Sequence, residues 1–165
     1  MKKQMALFAV ITLQCFFLVA WAGYHEWVFH YGEVLLLRTR PVDPRDILRG
    51  DYMILNYDIS TLPAANNIEL KTGQKVFVAL EKHGEFYEAL AVSAEIPKIN
   101  SQQRIAQATV EHPWNSPRLA YGIERFLVPE GKGTPSSTNI VVRATLSPNH
   151  QLNIKEVLVN GKPYP

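Results

Sequence analysis

Two carboxylates offer most of the acid–base chemistry in this sequence. They are Asp51, in Arg49-Gly50-Asp51-Tyr52-Met53-Ile54-Leu55-Asn56-Tyr57, and Glu124, in Tyr121-Gly122-Ile123-Glu124-Arg125-Phe126. A carboxyl pair held roughly 5–10 Å apart in a cleft cleaves glycosidic bonds, but nothing in the surroundings of these two points to a cleft. A structural role is the competing reading. Gly50 takes positive φ at no steric cost and Asp51 accepts hydrogen bonds from nearby backbone N–H groups, so the pair can start a strand from a tight turn. Arg45, Asp46, Arg49 and Asp51 are close enough to form an ion-pair cluster around that turn. Tyrosines beside mixed charges also suit a protein contact surface. Glu124 and Arg125 are neighbours on an expected strand and point to opposite faces. Whichever is buried needs a partner, with Asp51, Arg49 and Arg143 as candidates. The expectation is an ion pair joining the two segments.

The other constellations are weaker. Pro129-Glu130-Gly131-Lys132-Gly133 has two glycines but lacks the spacing and the terminal Lys-Ser/Thr of a phosphate loop, and reads as a turn. His25 and His30 are five apart, whereas two ligands on one helix face need four. His83, His112 and His150 sit in separate expected loops. No metal, no cofactor and no catalytic residue is assigned. Cys15 lies in an apolar run behind Ile11-Thr12-Leu13-Gln14, a poor lipidation box, so the rest of the chain has no thiol for a disulfide or a nucleophile. His112-Pro113-Trp114-Asn115-Ser116-Pro117 is a candidate contact loop, because a tryptophan held between prolines loses little entropy on binding. The alternative folds Trp114 back over the core.

These residues are positioned by a chain of two parts. Behind Lys2 and Lys3, the run Met5–Gly23 carries no charge, and a helix of roughly 20 such residues crosses the hydrocarbon core of a bilayer. It reads either as an uncleaved anchor or as a signal peptide cut after Ala22, since Ala20-Trp21-Ala22 fits the small-x-small rule. The anchor is favoured. The run exceeds a signal-peptide core of roughly 7–15 residues, and Trp21, Tyr24 and Trp27 suit a membrane-interface belt. On both readings the lysines stay in the cytoplasm and the main domain lies outside. Residues 1–30 are then the cytoplasmic lysines, the anchor and a juxtamembrane segment, and 31–165 a single domain. A net charge of +2 with scattered basic residues leaves no electrostatic footprint for nucleic acid.

Turn-forming residues recur along 31–165, and β-branched and aromatic residues fill the runs between them. The expected runs begin with Glu33–Arg40, whose Val34–Leu37 could equally extend the helix, and Asp51–Asp58, apolar on both faces and so central. Lys75–Glu81 and Phe86–Glu95 form a hairpin around His83-Gly84. Arg104–Glu111 and Tyr121–Val128 follow, then a hairpin of Asn139–Leu146 and Gln151–Val159 around Ser147–His150. Ala64–Thr72 reads as a loop or short helix and Gly131–Thr138 as a mobile loop. The fold class is mainly β: a transmembrane helix followed by a small sandwich or partly open barrel of about seven or eight strands.

Gly50-Asp51-Tyr52-x-x-Leu55-x-Tyr57 resembles the motif that names the GDYxxLxY family. Three more segments add to the resemblance: Tyr121–Phe126 with Val128-Pro129-Glu130-Gly131, the approach Arg40–Arg49, and the closing Val157–Pro163. Together they cover the anchor and most of the remaining domain. The resemblance implies a bacterial membrane-anchored protein, of a kind often encoded near multi-spanning membrane proteins, and brings no catalytic assignment. The expected role is a non-catalytic accessory protein of the inner membrane, its β-domain periplasmic, binding a multi-spanning membrane protein or another envelope component. An envelope hydrolase is the alternative. Pro44 and Gly50-Asp51 are reminiscent of the substrate-binding strand region of signal-peptidase-like serine proteases. Those enzymes need a serine shortly before the proline, activated by a lysine; Thr39-Arg40-Pro41-Val42-Asp43 contains none, so Lys71 and Lys75 have no nucleophile to activate. A further alternative is a glycan or small ligand held by Tyr52, Tyr57 and Tyr121. Carboxylates lining a cleft would favour the hydrolase; carboxylates capped by backbone amides and arginines would not.

Overall fold

The computed structural model describes residues 2–40, 52–61, 70–112, 118–128 and 139–164. The chain divides into two compact units, residues 1–32 and 33–165.

The first unit is a single helix, α1 (Lys2–Tyr31). It is long and apolar enough to cross a membrane. Phe8, Phe16, Phe17 and Val19 are all exposed, and a helix that is apolar all round needs lipid or a protein interior to cover it. Its 30 residues rise about 45 Å against a hydrocarbon core of about 30 Å. Its last turns bear Tyr24, Trp27 and Tyr31, rings that suit a headgroup layer. The Gly32 N–H closes the last turn on the Val28 carbonyl at 2.8 Å. Val34–Leu37 does not extend the helix, because alternate residues Leu35 and Leu37 turn into a β core.

The second unit is mainly β. Its strands are β1 (Glu33–Arg40), β2 (Tyr52–Ile54), β3 (Asn56–Tyr57), β4 (Lys75–His83), β5 (Phe86–Ser93), β6 (Gln103–His112), β7 (Arg118–Ala120), β8 (Arg125–Leu127), β9 (Ile140–Leu146), β10 (Leu152–Val159) and β11 (Lys162–Tyr164). They form three antiparallel sheets, in the orders β11-β10-β9-β1-β3, β2-β8 and β5-β4-β6-β7, one of them curled into a half-barrel. The eleven described strands exceed the expected number because the run Asp51–Asp58 divides into β2 and β3, and because β7 and β11 lie outside the expected runs. One core serves all three sheets: Leu35 and Leu37 from β1, Met53 from β2, Val76, Val78 and Leu80 from β4, Ala106 and Ala108 from β6, Val142 and Ala144 from β9.

Bulges keep this core continuous. In β10 both Leu152 and Val157 are buried although they are an odd number of positions apart; the ladder slips at Lys155, between Ile154 and Glu156. One extra residue reverses which face alternate side chains occupy. The same device at Leu90 buries both Tyr87 and Val92 and leaves Leu90 itself half exposed.

The turns also refine the reading. His83 pairs with Phe86, so the β4–β5 turn is Gly84-Glu85 rather than His83-Gly84, and Gly84 at φ +63° fits the first central position of a type II′ turn. Asn160 and Gly161, at φ +52° and +79°, make the type I′ turn that adds β11. Pro163 is tolerated there because β11 is an edge strand.

Candidate functional site

The two segments singled out in the sequence meet in the β-domain, though not as one long strand each. Asp51–Asp58 was expected to run unbroken. Instead it changes sheets at Leu55: β2 pairs with β8 (Met53 opposite Phe126), and β3 pairs with β1 (Tyr57 opposite Thr39). After the 3-10 turn Asp58–Ser60, Thr61 bridges to Arg118 at the start of β7. Ten residues, 52–61, thus touch all three sheets. Tyr121–Val128 also breaks. Only Arg125–Leu127 is strand, and Tyr121–Glu124 is a turn with Gly122 at φ +83°. Its alternation is real at the level of burial, since Tyr121 and Ile123 both enter the core, but the backbone between them is not extended.

What joins the two segments is a reciprocal clamp. The Tyr57 hydroxyl donates to the Ile123 carbonyl at 2.7 Å, and the Tyr121 hydroxyl donates to the Ile59 carbonyl at 2.8 Å. Between them the Leu55 N–H donates to the Glu124 carbonyl at 2.8 Å. Both rings are buried, and burial, followed by the nearby Glu124 charge, raises both hydroxyl pKa values far above the usual tyrosine range. Arg118 adds a polar tie, donating Nη2 to Asn56 Oδ1 at 2.6 Å while its Nε lies 3.2 Å from Glu111 Oε2.

Of the candidate ion-pair partners, Arg143 sits 2.6 Å from Glu156 instead, and Arg49 and Asp51 lie outside the described residues. The Glu124 carboxylate turns back on its own turn. Oε1 accepts from the Tyr121 N–H, and Oε2 accepts from the Gly122 N–H at 2.9 Å. Gly122 is what lets two consecutive N–H groups face one acceptor, as in other anion-binding backbone concavities. Glu124→Ala, which leaves both N–H groups without this partner, is expected to cost roughly 1–3 kcal/mol, and Glu124→Gln, keeping one acceptor oxygen, about half of that. Urea unfolding of the three proteins checks the order.

A family profile described as GDYXXLXY protein matches residues 14–156, most of the chain. The chain belongs to the GDYXXLXY protein family. Among curated proteins and among solved structures nothing matches. Of the GDYXXLXY motif residues, Leu55 and Tyr57 are core, and Tyr52 stands opposite Leu127 in the β2–β8 ladder. Gly50, Asp51, Glu130, Gly131 and Trp114 lie outside the described residues, as does the proposed cluster of Arg45, Asp46 and Arg49. Arg125 is exposed and begins β8, while Glu124 is half-buried and belongs to the turn before it.

A cleft of about 450 Å³ lies beside the clamp, between the Tyr121–Glu124 turn and Gln151–Asn153, with Lys75, Gln107 and Thr109 on its floor. Glu124 lines it, but both carboxylate oxygens are committed to backbone N–H groups, a poor arrangement for a general acid or base. Tyr57 and Tyr121 are 1% and 6% exposed and offer no ring face on which a sugar could stack. Among the described residues, no three His, Cys, Asp or Glu side chains gather as a metal set. Sequence reasoning missed Arg118, Asn56 and the two acceptor carbonyls. A hydroxyl's partner more than 60 positions away leaves no local signal.

Proposed function

We propose that this chain is a non-catalytic, membrane-anchored accessory protein whose periplasmic β-domain binds another envelope component, a multi-spanning protein of the bacterial inner membrane. The observation that supports this reading is the use made of the family's own polar residues. The Tyr57 and Tyr121 hydroxyls and the Glu124 carboxylate are all engaged with backbone groups. They make a rigid platform rather than a reacting centre. An anchor confines such a platform to the membrane surface and raises its effective concentration for a partner in the same bilayer. Lys2 and Lys3 on the cytoplasmic side put the β-domain on the other.

The contact surface is the outer face of the β2–β8 ribbon. Ile54 and Arg125 stand opposite each other there, beside Leu127, which is 78% exposed. An apolar pair beside an arginine resembles the composition of protein interfaces. The test places a photo-crosslinking amino acid at Leu127 of the full-length protein in its own membranes, with exposed Glu88 as the control position, followed by purification in gentle detergent. A membrane protein crosslinked from Leu127 but not from Glu88, and co-purified in fixed ratio without light, is the expected result. Purification of the protein alone, with no adduct from either position, would sink this reading and turn attention to ligands of the cleft.

A further inference from the structure

We propose that the cleft beside the clamp binds the carboxylate end of an extended peptide. It opens where the β6–β7 ladder stops. Thr109 stands opposite Lys75 on one side and Ala120 on the other, so the three side chains share one face of the sheet. Gln107, two residues along β6, lies on the same face. In continued register the next rung would join Gln107 to Gly122, and it is not made. The Gly122 N–H goes to Glu124 Oε2 at 2.9 Å, and the Gln107 N–H goes to the His150 carbonyl at 2.7 Å. The Gln107 carbonyl lies on the same side of β6 as its N–H, and no N–H of the described residues reaches it. A strand edge that lacks its next partner is one that the backbone of a peptide completes.

Charge sets the direction of the peptide. Among the described residues Lys75 has no ion-pair partner and the Thr109 hydroxyl no hydrogen bond, so a terminal carboxylate placed on them gains charge-assisted bonds. The same group placed at Glu124, in the far wall, meets a like charge. Each Glu124 oxygen takes one backbone N–H out of about two acceptor sites, which leaves room for an N–H of the peptide. The third wall is matched to a peptide unit. Gln151 Oε1 accepts from Asn149 at 3.0 Å and Asn153 Nδ2 donates to Ser147 Oγ at 2.8 Å, so Gln151 keeps its amide donor and Asn153 its amide acceptor for a ligand. The volume of about 450 Å³ falls within the roughly 300–1,000 Å³ of small-molecule sites, room for a chain end and not for a folded partner.

Saturation-transfer NMR on the full-length protein in nanodiscs, with trialanine, trialaninamide and acetate as probes, provides the test. Trialanine is expected to bind about tenfold more tightly than trialaninamide, the worth of one charge-assisted bond, and more tightly than acetate, which cannot use the β6 edge. Lys75 is exposed, so Lys75→Gln should leave the urea midpoint unchanged while the affinity for trialanine falls to that for its amide. Lys71→Gln, at an exposed lysine outside the lining of the cleft, should change neither. Equal binding of acid and amide by the wild type, or no loss in Lys75→Gln, overturns the carboxylate assignment. Acetate that binds as well as trialanine overturns the role of the strand edge. No transfer to any probe at millimolar concentration overturns the site itself. None of these results bears on the crosslink from Leu127.

Discussion

Above pH 10 the β-domain is expected to lose stability by about 2.7 kcal/mol per pH unit. The sign follows from the two clamp tyrosines. In the folded chain burial, reinforced by the charge of Glu124, keeps Tyr57 and Tyr121 protonated well past the usual range; in the unfolded chain they titrate near 10. Below that value both states hold the protons and the clamp contributes in full. Above it the unfolded state binds two fewer protons, and each costs the folded state about 1.36 kcal/mol per pH unit until the folded pKa values are reached. Tyr87, raised by burial and then by Glu33, adds in the same direction. A domain of ordinary stability, about 5–15 kcal/mol, would then unfold within a few units of pH 10. Urea unfolding at steps between about pH 8 and pH 12, with tyrosinate absorbance followed in parallel, checks the slope. The tyrosinates of Tyr57 and Tyr121, two of the seven tyrosines, should appear with unfolding and not before it, and Tyr57→Phe or Tyr121→Phe should remove one of them and roughly halve the slope. Stability that stays flat through the window would mean that the hydroxyls are accessible and the clamp is misdescribed.

Replacing Tyr57 should be the most damaging single change in the domain. Among the described residues its ring is the largest of the fully buried side chains. Tyr57→Ala is expected to cost about 3–5 kcal/mol from lost packing and the cavity left behind, enough to unfold a marginal domain. Tyr57→Phe isolates the hydroxyl. It leaves the Ile123 carbonyl without that donor and should cost roughly 1–3 kcal/mol. The measurement is the midpoint of urea unfolding at constant m value. If the clamp acts as a unit, Tyr57→Phe and Tyr121→Phe combined will depart from the sum of the two by about 0.5 kcal/mol or more. A Tyr57→Phe protein within about 0.5 kcal/mol of wild type, the range of an ordinary surface change, would show that the hydrogen bond contributes little.

The parts legible in the sequence are those whose pattern is local. Val76, Val78 and Leu80 alternate along β4, as Leu35 and Leu37 do along β1, because each strand has one face on the core. The class, mainly β behind an apolar helix, follows from such runs. Tyr121 and Ile123 show where this reasoning fails: a turn can bury alternate residues as a strand does, and the difference lies in Gly122, whose positive φ no alternation reveals. Leu55 shows a second limit. It is an apolar residue at an expected position, yet it marks where one segment leaves β8 for β1, a change set by partners about 70 and 15 residues distant in sequence. The signal for β11 was present in Asn160-Gly161, a strong two-residue hairpin pair.

The pairing of β1 has a consequence for how the protein is made. Glu33, at the start of the domain, faces Leu146 on β9, and Thr39 Oγ1 donates to the Ile140 carbonyl across 101 positions. At about 5–20 residues per second of synthesis, β1 waits on the order of ten seconds for its main neighbour to exist. The motif segment waits nearly as long for Ile123 and β8. Neither segment can close before those partners have emerged, and its apolar edges stay open until then, whereas β4, β5 and β6 pair within residues 75–112 and need no later strand. In that interval the domain depends on whatever holds those edges apart.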